Sequence, residues 1–121
     1  MKYALLIYYD ESTAAEPGSA EAQKEYDKYM AFTAEINERG INAGGEALHG
    51  TDSATTVRVR NDETLTTDGP FAETKEALAG FYLIDVADLD EAIAVAAKLP
   101  GSWSGSVEVR PVVDWASDAP A

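Results

Sequence analysis

Residues 2–9 carry apolar side chains on both faces of an alternating pattern. Tyr3, Leu5 and Ile7 fall on one side, and Ala4, Leu6 and Tyr8 on the other. A strand of that kind belongs in the middle of a sheet covered on both faces. After Pro17-Gly18-Ser19, which is turn chemistry, the period lengthens. Ala22, Tyr26, Tyr29, Thr33 and Ile36 recur at helical spacing and predict a helix to about Arg39. Ser19 is its expected N-cap, Glu21 faces the helix dipole, and Gly40 stands where a terminating glycine would.

The period then returns to two. Ile41 to Leu48 reads as a weak strand, in which Gly44-Gly45 signals a bulge or the close approach of another group. Thr55 to Arg60 and Thr64 to Thr67, separated by Asn61-Asp62, predict a hairpin. A Gly69-Pro70 turn leads to a long strand over Ala79 to Val86. Asp88 with Glu91 resembles a capping box, and Leu89, Ala92, Ile93, Ala96 and Leu99 mark the face of a second helix closed by Pro100-Gly101. The last strand runs from Ser106 to Val113, with Val107 and Val109 on one side and Glu108 and Arg110 on the other.

The order β-α-β-β-β-β-α-β predicts an α+β fold of ferredoxin-like plan: an antiparallel sheet with two helices on one face. Two helices cover one face only, so the apolar second face of the first strand calls for a second copy, a homodimer. The 121 residues make one domain, expected over residues 1–113, with a frayed acidic tail at 114–121 that Trp115 anchors.

Charge narrows the partners. Nine Lys and Arg against 22 Asp and Glu give −13, which argues against nucleic acid and anionic membranes. No apolar run approaches the roughly 20 residues of a membrane span. The start reads as a strand and not a signal peptide, which makes the cytoplasm the expected compartment. With no cysteine and the single histidine His49, neither a disulfide nor a multi-histidine metal site can form within one chain. No metal and no cofactor are expected.

Chemistry concentrates in Asp68-Gly69-Pro70-Phe71-Ala72-Glu73-Thr74-Lys75-Glu76. The Asp68 carboxylate suits either a turn acceptor or a general base. Glu73 and Lys75 share a face in an extended segment, as a proton-transfer pair or a salt bridge. These three are the catalytic candidates. Arg58, Glu108 and Arg110 are the substrate-binding candidates. Glu108 and Arg110 lie on the sheet face turned from the helices, where an arginine grips a carboxylate in two-pronged fashion or holds a structural ion pair. His49, in a turn without a close acidic partner, is added as a possible substrate contact. The expected pocket has Asp68 to Glu76 as one wall and takes a small polar or anionic molecule. Three function classes fit: an acid–base enzyme of lyase or isomerase type, a non-catalytic binding or regulatory module, and a structural dimer.

The same stretch resembles the signature of the DGPF family of YCII-related proteins. The likeness extends through Gly45-Glu46-Ala47-Leu48, Thr55-Thr56-Val57-Arg58, Gly80-Phe81-Tyr82, Asp90-Glu91-Ala92-Ile93 and Gly105-Ser106-Val107-Glu108-Val109-Arg110-Pro111, nearly the whole chain. The resemblance implies a dimeric α/β barrel of ferredoxin-like halves. It also implies a possible link to extracytoplasmic-function sigma factors, beside which many members are encoded. YciI-like relatives carry a His–Asp pair, and one branch dehydrochlorinates chlorinated hydroquinones. Their histidine lies on the first helix. This chain departs from that pattern, offering Tyr26 and Tyr29 there and no histidine.

Overall fold

A computed structural model of the chain describes residues 1–118. The elements are β1 (Lys2–Tyr9), α1 (Ala20–Glu38), β2 (Asn42–Ala47), β3 (Thr55–Arg60), β4 (Glu63–Asp68), β5 (Ala77–Asp85), α2 (Leu89–Ala96), α3 (Gly101–Ser104) and β6 (Ser106–Pro111). Short 3-10 turns occupy Glu11–Thr13 and Thr51–Ser53.

Four strands form an antiparallel sheet in the order β2-β5-β1-β6. β1 is central, as its two-sided apolar sequence requires. Tyr3, Leu5 and Ile7 are buried in one cluster with Phe32 and Ile36 of α1 and with Val95 and Leu99 from α2 and the turn after it. Each such side chain contributes roughly 1.5–3 kcal/mol by leaving water. Val107 and Val109 pack against the same cluster, so Glu108 and Arg110 fall on the opposite face. Among the described residues no helix packs on that face. Leu6 stands between Phe81 and Glu108, and Ala4 between Leu83 and Arg110. Leu6, Ala4, Phe81 and Leu83 are half-buried. Among the described residues the sheet stays open and does not close into a barrel.

The helix ends follow their sequence signals. Ser19 Oγ accepts from the Ala22 N–H at 3.1 Å. Gly40, with φ 71°, lets the Ile41 N–H reach the Ile36 carbonyl at 3.1 Å, a Schellman closure. Asp88 Oδ1 accepts from the Glu91 N–H at 2.9 Å, and the Glu91 carboxylate accepts from the Ala87 N–H at 2.9 Å.

The faces differ in detail from the expected stripes. In α1, Phe32 and Ile36 are buried, Tyr29 and Thr33 are half-buried, and Tyr26 is exposed. In α2, Val95 turns inward beside Ala92 and Ala96, leaving Leu89 and Ile93 exposed. An almost wholly apolar helix does not state its phase; the small alanines let it approach the sheet. α2 ends at Ala96, short of the expected Pro100-Gly101, which instead begins the unexpected α3. β5 starts two residues before the expected Ala79. Residues 114–118 close into a turn in which Asp114 accepts from the Ala116 N–H at 3.0 Å and the Ser117 hydroxyl at 2.8 Å. Trp115 is exposed there, and residues 119–121 of the expected tail lie outside the described ones.

β3 and β4 form a second, two-stranded sheet. Asn61 and Asp62, with φ 52° and 62°, make the turn, as a two-residue hairpin of primed type demands. None of its residues is buried. The segment leading into the arm is tied to the rest by Glu11, whose carboxylate accepts the Thr51 N–H at 2.9 Å and the Thr51 hydroxyl.

Candidate functional site

A cavity of about 510 Å³ opens between α1 and the β2–β5 edge of the sheet, on the helix-covered side. Two irregularities in the ladder shape it. One lies between Asn42 and Gly44 in β2, the other between Ile7 and Tyr8 where β1 meets β5. Bulges bend a strand and re-aim its side chains. Gly45 has φ 146°, and a Cβ there would stand 2.5 Å from the Phe81 carbonyl oxygen. Both meanings of the Gly44-Gly45 signal therefore hold: the strand is bulged, and another backbone comes close.

Three tyrosines line the cavity, Tyr9 from β1, Tyr29 from α1 and Tyr82 from β5. The Tyr82 hydroxyl lies 2.8 Å from Thr33 Oγ1, which itself lies 2.9 Å from the Tyr29 carbonyl. Thr33 has one hydrogen and the carbonyl has none, so Tyr82 donates to Thr33 and Thr33 to the carbonyl. The Tyr82 ring meets Phe32 edge-on, with centroids 5.1 Å apart. Tyr29 packs over Gly101, where a Cβ would lie 2.8 Å from its hydroxyl. Burial, with smaller contributions from Glu25 and Tyr82, pushes the Tyr29 phenol up to about 12. At neutral pH Tyr29 is a neutral hydrogen-bond donor and not a base. Burial raises Tyr9 too, with the Glu11 carboxylate beside it acting in the same direction.

Glu25, one turn before Tyr29, brings a carboxylate to the wall, and among the described residues no Lys, Arg or His lines the cavity. Glu46 also borders it, but Glu46 is paired with Phe81, and alternation sends both side chains to the open face. Among the described residues no cluster of His, Cys, Asp and Glu is arranged to hold a metal ion.

The residues singled out from sequence lie elsewhere. Asp68 is the last residue of β4 and is exposed. Its turn is tied through Gly69, whose N–H donates to the Ala54 carbonyl at 2.7 Å and whose carbonyl accepts from Thr56 Oγ1 at 2.9 Å. Glu73 and Lys75 are exposed in the loop before β5. In that loop the contact to the sheet comes from Glu76, which accepts from the Ser106 hydroxyl at 2.8 Å. Arg58 lies on the hairpin and His49 in the loop after β2, both exposed. Glu108 and Arg110 meet as expected for one strand face, with Arg110 Nε donating to Glu108 Oε2 at 2.7 Å. Of the candidates, the chain brings only this last pair together, and none borders the cavity. Tyr9, Glu25 and Tyr82 were not singled out as site residues, because each looks like core or solvated helix until three distant elements meet. The glycine pair in β2 was the signal that pointed there.

The family model for the YCII-related domain matches residues 1–116. A curated protein of Rhizobium meliloti (strain 1021), described only as uncharacterized, is 42% identical over 118 residues, covering 93% of this chain and 92% of its own.

Proposed function

The chain belongs to the YCII-related family, and from that premise we propose that it is a homodimeric small-molecule-binding protein whose site is the cavity between α1 and the β2–β5 edge. The observation that carries this reading is the cavity itself, with its tyrosine lining and two strand bulges. Pockets of roughly 300–1,000 Å³ with apolar walls and a few placed polar groups are the usual form of small-molecule sites. Because the lining holds a carboxylate and no basic side chain, the favoured ligand is neutral or positively charged, rather than the small anion that Arg110 suggests on the other face.

The strand order supports a ferredoxin-like plan, and the open face of β1 and β5 supports a two-fold partner. There the Glu108–Arg110 pair would border the apolar centre of a dimer interface. Acid–base chemistry of lyase or isomerase type would run through Glu25 as proton acceptor, with Tyr29 donating a hydrogen bond to developing negative charge. The alternative, a non-catalytic module contacting a sigma factor, draws on the exposed β3–β4 arm.

A fragment screen by amide NMR tests the site. Hits should shift Gly44, Gly45, Gly80 and Gly101 together. Hits confined to Glu108, Arg110 and the loop of Glu73 and Lys75 would transfer the site to the other face. Light scattering during gel filtration should give twice the 12.9 kDa chain mass; a monomer at micromolar concentration removes the dimer.

A further inference from the structure

We infer that the cavity is built for a small organic ammonium, a methylated or alkylated amine held on tyrosine ring faces beside Glu25. This rests on the cavity being the binding site, and adds the chemical class of its occupant. Aromatic rings carry negative electrostatic potential on their faces, and several rings around one space form a cage for a cation. Tyr9, Tyr29 and Tyr82 reach one cavity from β1, α1 and β5. The Tyr82 hydroxyl is committed to Thr33, so its ring is the part left for a ligand. Glu25 supplies the countercharge, and no basic side chain among the lining residues opposes it.

Two further observations agree. The chain's net charge of −13 draws cations toward the protein and repels anions. In a neighbouring depression the fold already makes the same kind of contact with its own cation: Lys28 Nζ sits 5.9 Å from the centroid of Trp103. Trp103 is oriented by its indole N–H, which donates to the Ala97 carbonyl at 2.9 Å. The adjoining depression shares Tyr9, Glu25 and Ser104 with the cavity. It carries Asp10, Glu21 and Glu25 against Lys24 and Lys28, so its charges nearly balance, whereas the charged residues lining the cavity are all acidic.

Three probes of nearly one shape separate charge from size: choline, 3,3-dimethylbutan-1-ol and 3,3-dimethylbutanoate. Each is titrated into the wild-type protein while the amides of Gly44, Gly45, Gly80 and Gly101 are followed by NMR. Choline should bind about tenfold more tightly than the alcohol, and the carboxylate most weakly. Glu25→Gln, an isosteric change at an exposed position, should narrow the gap between choline and the alcohol severalfold. Equal binding of choline and the alcohol, or tightest binding of the carboxylate, overturns the ammonium assignment and leaves the cavity as the site. An unchanged gap in Glu25→Gln removes Glu25 as the countercharge. If none of the three probes moves these amides, and the fragment screen finds no other ligand that does, the cavity reading falls as well.

Discussion

The two sheets are both legible as strands in the sequence and behave oppositely in the fold. β1 and β5 bury Leu5 and Ile84 completely, between helices and neighbouring strands. β3 alternates valine with arginine and is apolar on one face only, and even there Val57 and Val59 are 59% and 58% exposed. The difference is where the partner comes from. β1 pairs with β5 and β6, which arrive from far along the chain, and its side chains meet α1 and α2 on the way. Among the described residues the arm pairs only with itself, across a two-residue turn. Alternation therefore encodes a surface able to bury, and connectivity decides whether this chain covers it.

The largest expected effect breaks the comparison directly. Leu5→Ala should cost about 2–5 kcal/mol by leaving a cavity in the packed cluster, whereas Val57→Ala should stay within about 0.5 kcal/mol in dilute solution. Urea unfolding followed by circular dichroism measures both. A Val57→Ala cost that grows with protein concentration would show the arm covered by a partner.

A smaller effect sharpens the role of the cavity wall. Tyr82→Phe removes the donor to Thr33 but keeps the ring, and should cost about 1 kcal/mol. No loss in the unfolding midpoint would mean that Thr33 is served equally well by water.

The smallest effect lies near the base of the arm and depends on pH. The Thr51 hydroxyl and N–H hold the Glu11 carboxyl below its ordinary 4.5. A carboxylate lowered in the folded state stabilises that state above its ordinary value, and the contribution disappears as pH falls through the lowered one. The Thr51 amide shift should titrate with a midpoint below 4.5, and Glu11→Gln should abolish that titration. A midpoint at or above 4.5 would show that the lash does not hold in solution.

The elements were legible because each has local punctuation. Ser19, Gly40, Asp88 and Asn61-Asp62 act within four or five residues of themselves. The phase of α2 was not legible, since apolar residues surround it and only contact with the sheet selects Val95 over Ile93. The cavity was legible only at Gly44-Gly45. Its tyrosines and Glu25 come from elements far apart in the chain, and no spacing rule links Tyr9 to Tyr82. The charged stretch after Asp68 drew attention because its signals are contiguous. Glu73 and Lys75 nevertheless lie at the surface, where charges are solvated without cost, and Glu76 is held by Ser106.

The place of β1 at the centre of the sheet also sets a schedule for synthesis. Its neighbours begin at Ala77 and Ser106, about seventy and a hundred residues later. At roughly 5–20 residues per second, a strand with apolar residues on both faces waits several seconds on the ribosome before β5 can reach it. The first helix emerges in that interval and can shield the face of Tyr3, Leu5 and Ile7. The face of Ala4, Leu6 and Tyr8 has no such early cover, which makes it the surface that a nascent-chain chaperone would meet.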